Sequence, residues 1–302
     1  MKKDFLTLKD YSKDEIEYIL NISEKIKKAE NKYSSILKGK SIALLFDKRS
    51  TRTRLSFEVG INQLGGNSLV IDSKTLQLGR GESYEDTAKI FSLYVDGVVI
   101  RTLRQETLEI FAKFGDIPVI NGLTDDYHPC QVLADMLTLK GMGLLNKGLK
   151  FAYIGDSNNV TNSLIIGFSK IGIDINIACP ENYTPPEDIM NYAEKQNSGS
   201  SINIIHNPVE AVKDADVVYT DVWLSMGQET SESKLDGLKK YQVNSGLLKY
   251  SKKDVKVMHC LPAHVGQEIS SEVLYGKNSI VFEQAENRLH AQKGLMAYLY
   301  EI

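Results

Sequence analysis

Residues 41–54 read SIALLFDKRSTRTR. The run from Ser41 to Phe46 is short, apolar and without polar alternation, which suits a strand buried on both faces of a helix-covered parallel sheet. At Asp47 the character changes, and Asp47-Lys48-Arg49-Ser50-Thr51-Arg52-Thr53-Arg54 leads into a helix that stops near Gly65-Gly66. Backbone N–H groups at a helix start, hydroxyls and arginine forks together make a seat for an oxyanion or a phosphate. Without an anion, three arginines there oppose the helix macrodipole. The bland alternative is a solvated helix start with stray charges.

The same rhythm extends in both directions. Upstream, Ser12 and Glu15 form a capping box for a helix carrying Ile16, Ile19, Leu20 and Ile26 on one face. Downstream, Asn67–Ile71, Gly97–Ile100 and Pro118–Ile120 read as strands. Ser83 and Asp86 open a helix with Thr87, Ile90, Phe91 and Tyr94 spaced i, i+3, i+4, i+7, and Pro129 suits the first turn of another through Leu137. Glycines 141, 143 and 148 then break the helical pattern and mark a linker. A second series follows, with strands at Lys150–Ile154, Asp174–Ala178, Ile202–Ile205, Asp216–Thr220, Val255–Met258 and Ser279–Val281, and a closing helix from Glu286 to Tyr300. The expectation is an α/β chain of two doubly wound parallel-sheet domains. They span 1–141, with 286–302 packing back on the first domain, and 142–285.

Composition narrows the class. The chain has 302 residues, 42% hydrophobic and 25% charged, and a formal charge of −3, so it is no strongly basic nucleic-acid binder. Three cysteines, Cys130, Cys179 and Cys260, are too few for a disulfide framework. No apolar run reaches the length of a membrane span, and the two N-terminal lysines lead into no apolar stretch of a signal peptide. A cytoplasmic setting is expected.

Ligands of open α/β sheets bind beyond the carboxyl ends of the strands. Arg101 follows the strand ending at Ile100. The loop after Ile120 ends in His128-Pro129-Cys130-Gln131, with the histidine at an N-cap position. Gly155-Asp156-Ser157-Asn158-Asn159 stands where a dinucleotide fingerprint would, but the second and third glycines are absent. Asp221 and Trp223-Leu224-Ser225-Met226-Gly227 follow Thr220, a carboxylate and turn suited to an ammonium group. His259-Cys260-Leu261-Pro262 follows Met258, and Glu286-Asn287-Arg288 follows Phe282. Taken singly, these residues also fit surface charges, a capping histidine, a plain loop and a small buried thiol. Jointly, a cationic first half and a second half of amides, an acid and a thiol suggest a phosphate-bearing substrate and an amine. Zinc-site spacings are lacking, and no metal or cofactor is expected.

Ser50-Thr51-Arg52-Thr53-Arg54, His128-Pro129-Cys130-Gln131 and His259-Cys260-Leu261-Pro262 resemble signature segments of the aspartate/ornithine carbamoyltransferase family. Asp221 with Ser225-Met226-Gly227 resembles the amino-acid loop of its ornithine branch, and the likeness runs over nearly the whole chain. The resemblance implies transfer of the carbamoyl group of carbamoyl phosphate to the δ-amine of ornithine, giving citrulline and phosphate in arginine metabolism. It implies that Ser50, Thr51, Arg52 and Thr53 hold the phosphate, and that Arg101, His128 and Thr53 polarise the carbonyl oxygen. Gln131 would bind the carbamoyl nitrogen, Arg288 would reach in from the last helix, and Gln77 would reach a neighbouring subunit's site. Asn159, Asp221, Ser225 and Met226 would bind the amino-acid end of ornithine, with Cys260 and the Leu261 carbonyl beside its side-chain amine. Cys130 is read as a packing residue. Homotrimers, or multiples of them, are implied as well.

The substrate brings its own nucleophile, so direct attack through a tetrahedral intermediate is expected, with Cys260 orienting the amine. Rival readings are a carbamoyltransferase for putrescine or aspartate, a dinucleotide-dependent oxidoreductase on the same architecture, and a non-catalytic phosphometabolite sensor. The missing glycine fingerprint speaks against the oxidoreductase, and the lack of cations in 224–230 against aspartate.

Overall fold

The structure, a computed structural model, describes residues 2–48, 50–77, 81–196, 198–224 and 232–301. Its first unit, Met1–Leu137 with Glu286–Ile302, contains α1 (Lys13–Lys28), β1 (Ser41–Phe46), α2 (Arg52–Gln63), β2 (Asn67–Asp72), α3 (Tyr84–Tyr94), β3 (Gly97–Arg101), α4 (Gln105–Phe114), β4 (Val119–Leu123) and most of α5 (Pro129–Gly141). The four strands are parallel in the order β2-β1-β3-β4. β3 is buried throughout and β1 from its second residue on, which explains their continuous apolar runs. Edge strand β2 leaves Leu69 and Val70 exposed. The expected capping box of α1 is present: Ser12 accepts from the Glu15 N–H and Glu15 accepts from the Ser12 N–H.

The second unit, Thr138–Ala285, carries β5 (Phe151–Ile154), α6 (Asn159–Ile171), β6 (Ile175–Ala178), α7 (Glu187–Lys195), β7 (Ile202–Ile205), α8 (Pro208–Val212), β8 (Val217–Thr220), α9 (Glu232–Leu238), α10 (Ser245–Leu248), β9 (Lys256–His259), α11 (Ser271–Leu274) and the start of α12 (Val281–Glu301). Its five strands are also parallel, in the order β7-β6-β5-β8-β9. Ala152, Ile154, Val218 and Val257 of the sheet pack with Val212, Tyr241 and Ile269 in one apolar core.

One expected strand is corrected. Ser279–Val281 is not a strand: Ser279 makes an isolated bridge to Val257, and the helix expected from Glu286 already begins at Val281. The apolar pair Ile280-Val281 mimics a buried strand, but its length is too short for periodicity to separate strand from helix start. Residues 286–301 of α12 belong to the first unit, as the sequence suggested for the C-terminal helix. Tyr300 Oη donates to the Asp96 carbonyl, Lys27 donates to Asn287, and Lys293 donates to Gln63. A Cβ on Gly294 would lie 1.9 Å from Ser23 Oγ, so α12 approaches α1 only because this residue has no side chain.

Strand order reverses between β1 and β3 in the first unit and between β5 and β8 in the second. These are topological switch points, where the crevice beyond the strand ends receives ligands. Among the described residues, no helix is long and apolar enough to cross a membrane.

Candidate active site

At the first switch point, the Asp47 N–H donates to the Arg101 carbonyl at 3.0 Å and ties the end of β1 to the end of β3. The α2 helix starts just beyond. Thr51 at its N-cap makes no side-chain capping bond, and the first turn carries no acid. An uncapped helix start of this kind favours an anion. Thr53, one residue into the helix, is 1% exposed, and its Oγ1 accepts from Arg101 Nη1 at 3.1 Å and Arg288 Nη2 at 2.8 Å. Two buried guanidiniums thus converge on one neutral hydroxyl, a concentration of positive charge and N–H donors suited to an anion. Ser50 and Thr51 line a cavity of about 450 Å³ with Lys48, Arg54 and Lys74.

His128 is buried before α5, and burial, then the charges of Arg288, Arg101 and Arg52, hold its imidazole well below its ordinary value. It is held in the neutral form, which carries a single ring N–H donor. Gln131, fully buried one turn on, donates Nε2 to Asp135 Oδ1 at 2.9 Å. Its Oε1 is then left as a buried acceptor without a partner among the described residues. It can accept one further N–H. The Cys130 thiol donates to the Asn121 carbonyl, and burial pushes it up to about 12, so it is a packing residue as expected.

At the second switch point, Gly155 turns the chain after β5 at φ +134°, a region closed to other residues. Asn158 caps α6 and Asn159 is its first, buried residue. Across the sheet, Asp221 follows β8 and is 4% exposed. One of its oxygens accepts from Asn158 Nδ2 at 2.7 Å, the other from Cys260 Sγ at 2.8 Å. Both donors are neutral, so this buried carboxylate still has use for a cation.

The Cys260-Leu261 turn is held from behind. The Leu261 N–H donates to His259 Nδ1 at 2.9 Å. That acceptor role places the ring proton on Nε2, which donates to the fully buried Glu268 at 3.1 Å. Gln284 accepts from the His259 N–H and donates to Tyr219 Oη. Asp221, His259 and Cys260 offer ligand atoms within 4.8 Å of one another. Both nitrogens of His259 are already engaged, however, so the group reads as a hydrogen-bonded relay and not as a metal centre. Asp156, beside the Asn158 cap, pairs with Lys234 at 2.8 Å in a site shielded from water. Burial raises its carboxyl above the usual range, Lys234 opposes the shift, and Asp221 adds to it.

With this geometry in place, the comparison with known families is decisive. Residues 3–141 match the profile described as aspartate/ornithine carbamoyltransferase, carbamoyl-P binding domain, and residues 147–299 match the Asp/Orn binding domain of the same name. The chain belongs to the aspartate/ornithine carbamoyltransferase family. Similar relatives include the ornithine carbamoyltransferase of Bacillus subtilis, 52% identical over 99% of this chain and 94% of that protein. The one of Oceanobacillus iheyensis is 50% identical over 98% and 94%. Among solved structures, the ornithine carbamoyltransferase from Pyrococcus furiosus is 46% identical with a TM-score of 0.95, covering 99% of this chain and 97% of that one. The anabolic ornithine carbamoyltransferase from Campylobacter jejuni is 42% identical with a TM-score of 0.93, covering 98% of each.

The residues expected from the family resemblance fall at two places in the structure. Thr53, Arg101 and Arg288 meet directly in the first unit, where the Arg52, Arg101 and Arg288 charges act on His128. Asp221 and Cys260 meet directly in the second, beside Asn159 and Leu261. Gln77 is exposed after β2, outside the Thr53 hydrogen bonds. Ser225 and Met226 lie outside the described residues. Sequence reasoning marked Asn158 only as one of two asparagines after the Ile154 strand, without its contact to Asp221, and it missed Glu268, Gln284 and Asp135. Only Asn158 left a signal, since asparagine directly before a helix is a favoured cap.

Proposed function

We propose that this carbamoyltransferase moves the carbamoyl group from carbamoyl phosphate to the δ-amine of L-ornithine, releasing L-citrulline and phosphate within arginine metabolism. The observation that carries the choice of substrates is the opposite charge demand of the two strand-end sites. Two buried guanidiniums share Thr53 in one, and in the other a buried carboxylate accepts from two neutral donors among the described residues. An acyl phosphate answers the first demand and an ammonium-bearing amino acid the second.

The first unit holds carbamoyl phosphate. Ser50, Thr51, Arg52 and Thr53 cradle the phosphate at the uncapped start of α2. Arg101, the neutral His128 and Thr53 donate to the carbonyl oxygen, on which charge grows as the tetrahedral intermediate forms. Gln131 Oε1 accepts from the carbamoyl nitrogen. The second unit holds ornithine. Asn159 and Asp221, with Ser225 and Met226, bind its amino-acid end, and Cys260 with the Leu261 carbonyl steers the side-chain amine.

That amine attacks as the neutral base. A group of ordinary pKa near 10.4 spends about 4–5 kcal/mol on deprotonation at pH 7. The Cys260 thiol donates to Asp221, so it acts as an orienting group and not as a nucleophile. The departing phosphate takes the amine's proton, and no separate base is needed. The chain works in the cytoplasm as a homotrimer or a multiple of it, with Gln77 serving a neighbour. Leu55, Val59, Leu69 and Val70, exposed on α2 and the β2 edge, supply the apolar surface for that association.

The test is citrulline formation from carbamoyl phosphate with ornithine, putrescine and aspartate in parallel. Ornithine should give the highest kcat/KM. A preference for putrescine or aspartate, or phosphate release without carbamoyl transfer, would overturn the reading.

A further inference from the structure

We propose that Asn158 is a positioning residue for catalysis: its one side-chain amide both starts α6 and aims the Asp221 carboxylate at the Cys260 thiol. The inference rests on the reading of the second-unit site as the amino-acid site.

The geometry leaves the amide no choice of orientation. Asn158 has an extended backbone at the N-cap, and its Oδ1 accepts from the Val160 N–H at 2.9 Å and the Thr161 N–H at 3.3 Å. Thr161 returns a bond to the Asn158 N–H and completes the capping box. With the oxygen committed to the helix, the end facing Asp221 has to be Nδ2, and it donates to Oδ2 at 2.7 Å. The terminal torsion of an aspartate is broad, so one donor does not set its plane. A second does, since Cys260 Sγ donates to Oδ1 at 2.8 Å. The turn ahead of the cap is itself fixed, by Tyr153 Oη on the Asp156 carbonyl at 2.9 Å and by the Asp156–Lys234 pair. The position of α6 is thereby transmitted through one amide to the carboxylate that receives the substrate's cation.

The two duties can be separated by substitution, because serine and aspartate cap helices about as well as asparagine but offer Asp221 no amide donor. In Asn158→Ser the hydroxyl is used by the cap. In Asn158→Asp a second carboxylate faces the first.

Steady-state citrulline formation is measured for the full chain and both variants. Asn158→Ser should lower kcat/KM for ornithine by roughly 10- to 100-fold, the loss of a hydrogen bond to a charged group. Asn158→Asp should cost more. KM for carbamoyl phosphate should stay within about twofold, since losses at separate sites are independent. In an Asp221→Asn background the serine substitution should cost less than about twofold, because the group it acts through is gone. Unchanged kcat/KM in Asn158→Ser, the full loss persisting in the Asp221→Asn background, or an equal rise in KM for both substrates would overturn the proposal. The serine variant carries the test alone if the aspartate variant does not fold. A wild-type chain forming no citrulline would overturn the substrate assignment and this inference with it. An active wild type indifferent to Asn158→Ser overturns the inference only.

Discussion

The switch points of the two units use one topology for opposite charges. Beyond β1 and β3, guanidiniums from Arg101 and Arg288 converge on Thr53, and the helix that follows starts without a side-chain cap. Beyond β5 and β8, Asp221 gathers an amide and a thiol, and the helix that follows starts with a complete capping box. The difference lies in what the first turn of the helix keeps free. Open N–H groups favour an anion. Capped ones release the site to a carboxylate, and the cap itself becomes part of that carboxylate's support. A parallel sheet thus commits its crevice to neither charge. The few residues between strand and helix decide.

Perturbing one unit should leave the binding partner of the other untouched, and the sharpest break is Asp221→Asn. Removing this charge should cost about 3–5 kcal/mol in kcat/KM for ornithine, with KM for carbamoyl phosphate nearly constant in steady-state assays. The mirror experiment is Arg101→Met. Loss of one donor to the developing oxyanion should lower kcat by about 2.7–4 kcal/mol, while calorimetry still registers the amino acid. Equal damage to both substrates in either variant would mean that the two sites are not separate in function.

Cys260→Ala should be milder, about 1.5–3 kcal/mol, leaving a slow but real enzyme. Mass spectrometry detecting a carbamoyl-cysteine adduct in the wild type would reverse the assignment of an orienting thiol. The smallest effect concerns stability. The folded chain holds His128 well below 6.5, whereas the unfolded chain protonates it near that value. Stability is therefore complete above 6.5 and falls as pH drops below it, by about 1.4 kcal/mol per pH unit from this residue. Urea denaturation at descending pH should show a shallower loss in His128→Asn. The slope should not vanish, because burial lowers His290 as well.

The sequence already showed the strands of both sheets, because central parallel strands are uninterrupted apolar runs, and it showed the caps of α1 and α3 through Ser12, Glu15, Ser83 and Asp86. It also showed Ser50 to Arg54, Arg101 and Asp221, since each stands directly after such a run. What it could not show depends on chain reversal. Glu268 meets His259 only because the turn after Cys260 folds back, and Gln284 bridges Tyr219 and His259 from a helix whose first residue, Val281, looked like a strand. The orientation of an amide is likewise invisible in a sequence: Asn158 and Gln131 acquire theirs from Val160, Thr161 and Asp135.

The double engagement of Thr53 Oγ1 has a consequence for selectivity among acyl phosphates. With both lone pairs occupied by guanidiniums, this hydroxyl can only donate, so a ligand placed there as proposed would have to offer it an oxygen and not an amino group. Gln131 Oε1 is its converse and can only accept. On that proposed reading acetyl phosphate, with a methyl in place of the amino group, would satisfy the threonine but strand the buried glutamine oxygen. Under the proposed assignment of Thr53 and Gln131 to the carbamoyl group, the pair would tell the two mixed anhydrides apart by hydrogen-bond polarity, although their shapes nearly coincide.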